Sequence, residues 1–264
     1  MILIITSKLD PHTDAVIGTL KQRNLAFCRF NTEDFPQKVN FSYENNGILE
    51  IGDISFPSGK SLSLNEITSC WYRRPLTPEI SSNLQTEQAK KFALEESQAF
   101  LNFLWNRLDC LWVNHPLLIR KAESKMLQLK IASSLGFDIP KTLITNRPEA
   151  ALKFIKGINS EVINKVLGAR EIEYQNDYYF VYAHKVEEKD LINLDEISYA
   201  PTMFQEYIPK SLEIRVTVIG ERVFACEIHS QDSDKTKDDW RHYDFDNVKH
   251  SACKLPREIE EKCL

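Results

Sequence analysis

Residues 203–231 read MFQEYIPKSLEIRVTVIGERVFACEIHSQ, and the order of residue types in them organises the rest of the chain. A polar hinge, Gln205-Glu206-Tyr207-Ile208, leads into a turn at Pro209-Lys210-Ser211. Two apolar-alternating runs follow, 213–218 and 222–228, joined at Ile219-Gly220-Glu221, which is the signal of a β-hairpin. On a strand, Glu213 and Arg215 project from one face while Ile214, Val216 and Val218 project from the other. The pattern predicts one face turned to the core and one turned to chemistry. A carboxylate can hold the two hydroxyls of a ribose, an arginine fork can hold a phosphate, and the hinge backbone can read an adenine edge. The same pattern also suits an exposed sheet face carrying an ion pair.

At 264 residues and 30.6 kDa the chain is long enough for two domains or one large one. A net charge of -5 and a pI near 5.8 leave no broad basic field for a nucleic-acid backbone, so nucleic acid is not expected as the main partner. A local anion site stays open. The cysteines (Cys28, Cys70, Cys110, Cys226, Cys253 and Cys263) have no metal-ligand spacing and read as reduced core residues. The apolar run 2–5 is too short for a signal peptide and lacks a basic head, and no apolar run reaches about 18 residues. The expectation is a soluble cytoplasmic protein with no membrane partner.

In chain order, a buried strand at 2–6, a helix at 12–23 and a strand at 26–30 form a βαβ opening, without a GxGxxG turn. Residues 39–43 and 48–51 flank Asn45-Asn46-Gly47 as a hairpin. Strand-like segments at 62–71 end in Trp71-Tyr72-Arg73-Arg74-Pro75, where the paired arginines are either surface cations or an anion-binding edge. A helix is predicted over 84–108, with Phe92, Leu94, Phe100, Phe103, Leu104 and Trp105 on its apolar side, and a strand over 111–113.

Helices at 120–135, closed by Gly136, and at 148–156 bracket a short strand at 139–145. Strands follow at 161–167 and 178–183. Lys165, inside an apolar run, must snorkel out or meet an anion. Glu187, Glu188 and Asp190 crowd a helix start, where the macrodipole favours acids. After the central hairpin, QDSDKTKDDWRHYDFD is a charged, turn-rich connection, and a helix at 257–264 stops without a cap, so the sequence reads as cut.

Taken in order, Lys125 in SKMLQLKIASSLGFDIPKTLITN, Lys165 in VINKVLG, and QEYIPKSLEIRVTVIGERVFACEIHSQ resemble the ATP-grasp ligases. More narrowly, they look like the microviridin-type (graspetide) ligases that close lactone and lactam rings in ribosomal peptides. The similarity covers nearly all of the chain, including its WYRR, SQ and DWR segments. It implies a mixed α/β and α+β fold: a pre-ATP-grasp βαβ domain at 1–115, a first ATP-grasp lobe at 116–199 and an incomplete second lobe at 200–264.

By the same resemblance, Lys125 and Lys165 meet ATP phosphates. Gln205, Glu206, Tyr207 and Ile208 hold the adenine, Glu213 the ribose, and Arg215 faces the phosphate side. Lys165 is followed by Val166 where many relatives carry proline. In such enzymes ATP phosphorylates a carboxylate, and a hydroxyl or amine attacks the acyl phosphate to give an ester or amide. Here the carboxylate is an Asp or Glu side chain of a precursor peptide, held by Arg73, Arg74 or Arg241. Arg215 and Arg241 are the catalytic candidates, and Glu187, Glu188 and Asp190 would dock a leader arginine.

Magnesium is expected for the family, but its acidic residue and Glu-x-Asn segment are expected several tens of residues beyond Leu264, and no such segment follows Arg241. Asp244, Asp246, Glu258, Glu260 and Glu261 do not fit that pattern and read as solvated surface. No residue of this chain is therefore assigned to metal, and the C-terminal metal-binding part is taken as missing. The partner expected is a precursor peptide with leader and core, and a homodimer is an open assembly state. Rival readings are a non-catalytic nucleotide- or peptide-binding protein, separated by magnesium-dependent ATP turnover, and a ligase acting on another protein or a small amino acid.

Overall fold

The computed structural model of the chain describes residues 1–168, 171–175 and 177–264. Contacts divide them into two units, Met1–Ser124 and Lys125–Leu264.

In the N-terminal unit, β1 (Ile2–Thr6) is apolar on both faces and is buried between parallel neighbours, as its composition requires. Asp10 caps α1 (Pro11–Gln22) by accepting from the N–H groups of His12 and Thr13, and β2 (Phe27–Asn31) completes the expected βαβ unit. β3 (Asn40–Asn45), β4 (Glu50–Ser55) and β5 (Ser61–Ser63) form an antiparallel sheet. Its hairpin returns two residues later than expected. The Asn46 side-chain carbonyl accepts from the N–H groups of Ile48 and Leu49, drawing both into the turn. β6 (Ser69–Tyr72), α2 (Glu87–Arg107), β7 (Leu111–Val113) and α3 (Pro116–Ala122) follow. The strands β2-β1-β6-β7 make one parallel sheet.

The core of this unit gathers Leu3, Ile5, Phe30, Ile54, Leu62 and Trp105. α2 buries Leu101, Leu104 and Trp105 and leaves Phe92 and Phe103 in solvent, so the expected apolar face is only partly used. The buried residues sit at positions i, i+3 and i+4, whereas Phe92 and Phe103 fall on the far side of a 3.6-residue turn.

The helix expected over 120–135 is two. α3 ends at Ala122, the N–H of Ser124 bonds Lys121 O at 3.3 Å, and α4 (Lys125–Ser134) begins anew. α4 closes on Gly136 at φ +72, with the Phe137 N–H bonded to Ala132 O at 3.0 Å, the left-handed cap that glycine permits.

The C-terminal unit continues with β8 (Thr142–Thr145), α5 (Pro148–Gly157), β9 (Val162–Lys165), β10 (Glu171–Tyr174), β11 (Asp177–Phe180), β12 (His184–Lys185), α6 (Glu188–Ile192) and β13 (Thr202–Glu206). Its antiparallel sheet has the order β12-β9-β13-β8, setting Phe204 between Asn164 and Leu143. β14 (Glu213–Ile219), β15 (Arg222–Ile228) and β16 (His250–Cys253) form a three-stranded meander, and α7 (Arg257–Cys263) ends the chain described.

The β14–β15 hairpin forms as expected, but its first strand runs one residue further, to Ile219 opposite Arg222, which leaves Gly220, at φ +59, and Glu221 in the turn. The face expected to be core is not: Ile214 is 46% and Val218 40% exposed. The buried cluster of this unit, Ala151, Val162 and Phe204, is built on α5 and the four-stranded sheet, so burial follows that sheet and not the hairpin.

Candidate active site

A cleft of about 540 Å³ lies within the C-terminal unit, walled by β9, β13, the hinge after it, the start of β14 and residues 238–241. Lys165 is the last residue of β9, one strand away from Gln205 on β13. Its Nζ donates to Gln205 Oε1 at 2.6 Å, and Gln205 Nε2 donates to Thr142 Oγ1 at 2.8 Å, so a buried amide holds the lysine from below. Burial pulls the Lys165 ammonium below the usual lysine range, and the charges of Lys210, Arg241 and Lys125 push it further against the opposing pull of Asp239. A site that crowds cations around a half-buried lysine is built to receive an anion.

Glu213 opens β14. Lys210 Nζ pairs with its Oε1 and also donates to Asp238 O at 3.1 Å, while Glu213 Oε2 is buried without a hydrogen-bond partner. A buried acceptor left empty costs free energy until a donor arrives, and a hydroxyl group is one such donor. The hinge is tied to its neighbours: the N–H groups of Glu206 and Tyr207 bond Lys141 O at 2.9 Å and Glu161 O at 2.8 Å. Lys185 Nζ sits 4.2 Å from the centre of the Tyr207 ring.

Arg241 Nε and Nη2 donate to the two carboxylate oxygens of Asp239 at 2.7 and 2.5 Å. Burial alone would lift the Asp239 carboxyl, but the Arg241 fork and the backbone N–H groups of Ala183 and Arg241 outweigh it and hold it below the usual range.

Lys165, Gln205, Glu206, Tyr207, Ile208, Glu213, Arg215 and Arg241 thus line one cleft, and Lys125, at the start of α4, contributes to its positive field. The remaining candidates lie elsewhere. Arg73 and Arg74 belong to the N-terminal unit, where Arg73 Nε is 3.8 Å from Asp10 Oδ2 and Arg74 adopts φ +46. Glu187 is the N-cap of α6 and Asp190 accepts its backbone N–H at 2.8 Å, while Lys189 pairs with Glu187 at 2.6 Å. Two of the three acids therefore serve a capping box.

The sequence reading passed over Lys210 and Asp239, both of which line the cleft. The spacing Asp239-x-Arg241 was the available signal for the second.

Among the described residues no group of three or more His, Cys, Asp or Glu could hold a metal ion. Asp244 spends its oxygens on Ser233 and Asn247. The described residues do not fit a magnesium cage. No helix is long and apolar enough to cross a membrane, among the described residues.

The family described as the MvdD pre-ATP grasp domain matches residues 1–120. A search of curated proteins finds no match. Among solved structures, a Chryseobacterium gregarium RiPP-associated ATP-grasp ligase, in complex with ADP and a leader and core peptide, is 32% identical over 99% of this chain and 79% of its own, with a TM-score of 0.92. The macrocyclase MdnC of Microcystis aeruginosa MRC, bound with precursor peptide MdnA, is 27% identical over 99% and 80%, with a TM-score of 0.86. The macrocyclase MdnB from the same organism is 27% identical over the same shares, with a TM-score of 0.79. With sequence and fold shared along nearly its whole length, this chain belongs to the RiPP-associated, microviridin-type ATP-grasp ligases.

Proposed function

We propose that the chain uses ATP to activate a side-chain carboxylate of a ribosomal precursor peptide as an acyl phosphate. A hydroxyl or amine of the same peptide then attacks, giving an ester or amide, ADP and phosphate. The observation that carries this reading is the cleft itself. It joins a lysine whose pKa is lowered, an arginine fork and a carboxylate oxygen lacking a donor in a fold whose relatives include the macrocyclases MdnC and MdnB.

Lys165 and Lys125 bind the phosphates, Glu213 takes a ribose hydroxyl on its open oxygen, and residues 205–208 frame the adenine. Arg215 and Arg241 neutralise the charge that develops as the phosphoryl group moves. Such chemistry is mostly positioning and electrostatics. Arg73, Arg74 or Arg241 holds the peptide carboxylate, and Glu187, Glu188 and Asp190 meet a basic leader residue. Glu188 is the freest of these acids, because the other two are engaged in the helix cap. The free cysteines suit a reducing cytoplasm.

The test is incubation of the chain with ATP, magnesium and a leader-core precursor peptide, read by mass spectrometry beside ADP binding by calorimetry. Loss of one water per ring supports the ligase. Nucleotide binding without dehydration, across several peptides of this class, would replace it with a non-catalytic binding protein.

A further inference from the structure

The chain between Trp240 and β16 holds aromatic side chains outward. Phe245 is 71% and Tyr243 50% exposed, while Asp244 between them and Val248 beyond them anchor the segment. The Asp244 carboxylate accepts from Ser233 Oγ at 2.7 Å and from Asn247 Nδ2 at 3.0 and 3.1 Å. Its carbonyl accepts from the N–H of Val248 at 2.8 Å, and Val248 is buried. Tyr243 adopts φ +42, a conformation that a residue with a Cβ keeps only where its surroundings enforce it. The outward rings are therefore fixed by the fold.

They also form a continuous ladder. The Tyr243 and Phe245 rings stack with centres 5.3 Å and planes 18° apart. Phe245 continues to His250, 5.7 Å away, whose Nδ1 lies 3.0 Å from Val248 O. At the other end Trp240, which lines the cleft, meets Tyr243 edge-on at 5.6 Å. The ladder starts in the cleft beside Arg241 and leads out of it. Its two ring steps from Trp240, 5.6 and 5.3 Å, match the reach of roughly three extended residues. Exposed apolar surface continuous with a cleft marks a docking area, and flat rings take another ring by offset stacking.

We propose that Tyr243 and Phe245 form a stacking platform for an aromatic side chain of the substrate peptide, within about three residues of the carboxylate that reacts. This rests on the ligase reading above, which gives the hinge and Glu213 to the nucleotide and leaves this end of the cleft to the peptide. Charge agrees with a neutral ring: Asp244 and Asp246 flank Phe245 and repel an anionic occupant. Such a platform selects, among the acids of a core peptide, the one with a ring close by.

The experiment measures the binding of two labelled leader-core peptides by fluorescence anisotropy, and their dehydration with ATP and magnesium by mass spectrometry. One peptide carries a tryptophan within about three residues of the reacting acid, and the other has alanine in its place. The wild-type chain is expected to bind the tryptophan peptide about tenfold more tightly, with KM lower by the same factor and kcat within about twofold, the worth of one stacked pair. Phe245→Ala is expected to abolish that preference and to leave affinity for the alanine peptide and for ADP within about threefold of wild type. Equal losses for both peptides, no preference in the wild type, or a preference that survives the substitution would overturn the proposal. So would a fall in ADP affinity with peptide binding intact, since the rings would then serve the nucleotide. A dimer that becomes a monomer in light scattering, at unchanged peptide affinity, would overturn it as well and mark a contact between copies. Should Phe245→Ala fail to fold, Phe245→Leu carries the same comparison, keeping apolar bulk without the flat face. A peptide preference without dehydration by the wild type removes the ligase reading and leaves the platform standing, so the two failures are told apart.

Discussion

Lys165 is the residue at which burial and charge meet most directly. Its folded-state pKa lies below the ordinary 10.5, so between the two values the folded chain carries fewer protons than the unfolded chain, and stability rises with pH across that window. The penalty is present in full below the folded value. A bound phosphate offers the missing countercharge and lifts that pKa again. ADP binding at a pH between the lowered folded value and 10.5 is therefore expected to take up protons. Calorimetry in buffers of different ionisation enthalpy checks this, and an enthalpy indifferent to the buffer would count against Lys165 as a phosphate ligand.

Glu213 gives a second prediction at this scale. Glu213→Gln puts an amide NH2 in place of one carboxylate oxygen and weakens the link to Lys210. ADP affinity is expected to fall about tenfold, the worth of one charged hydrogen bond. Equal affinity in a titration of the variant would remove Glu213 from the nucleotide site.

At the scale of the element, the β14–β15 hairpin shows both the reach and the limit of periodicity. The alternation set the strands, the pairing added Ile219 opposite Arg222, and Gly220 at φ +59 supplies the turn that the twist demands. Gly220→Ala should cost about 1 kcal/mol, because a Cβ in the left-handed region is strained even with open space around it. Urea unfolding measures it, and a variant as stable as wild type would mean the turn relaxes. α2 marks the limit. Its composition offered more apolar residues than one helix face can bury, and only contact with Phe30 and its neighbours selected Leu101, Leu104 and Trp105. Likewise, the acids at the start of α6 were legible as acids near a helix start, but a capping box is a geometry of backbone and side chain together.

For the whole molecule, three carboxylates tie stability to acid. Burial raises Asp10, Asp34 and Asp239, yet hydrogen bonds outweigh it in each: from Thr13 and Thr6, from Asn31 and Lys38, and from Arg241 and Ala183. All three end below the ordinary carboxylate value, so the unfolded chain binds more protons, and their stabilising contribution is present above about pH 4. It is lost as pH falls through the lowered folded values. The urea midpoint should drop steeply below about pH 4, and Asp239→Asn should flatten that drop; an unchanged slope would mean that Asp239 is protonated in the fold.

The sequence by itself determined the βαβ opening, the central hairpin, the glycines that end helix and turn, and the residue types of most of the cleft. It could do so because backbone period and side-chain face are local properties, written every two or every 3.6 residues. Only the tertiary structure decided which of those residues meet. Lys165 reaches Gln205 across 40 positions because β9 and β13 pair in one register, and Asp239 reaches Ala183 across 56 because a turn without periodicity folds back onto an earlier strand end. Lys210 entered the cleft the same way, through a carboxylate three residues on and a carbonyl 28 residues away. Contacts of that kind depend on sheet register and chain closure, which no local pattern encodes.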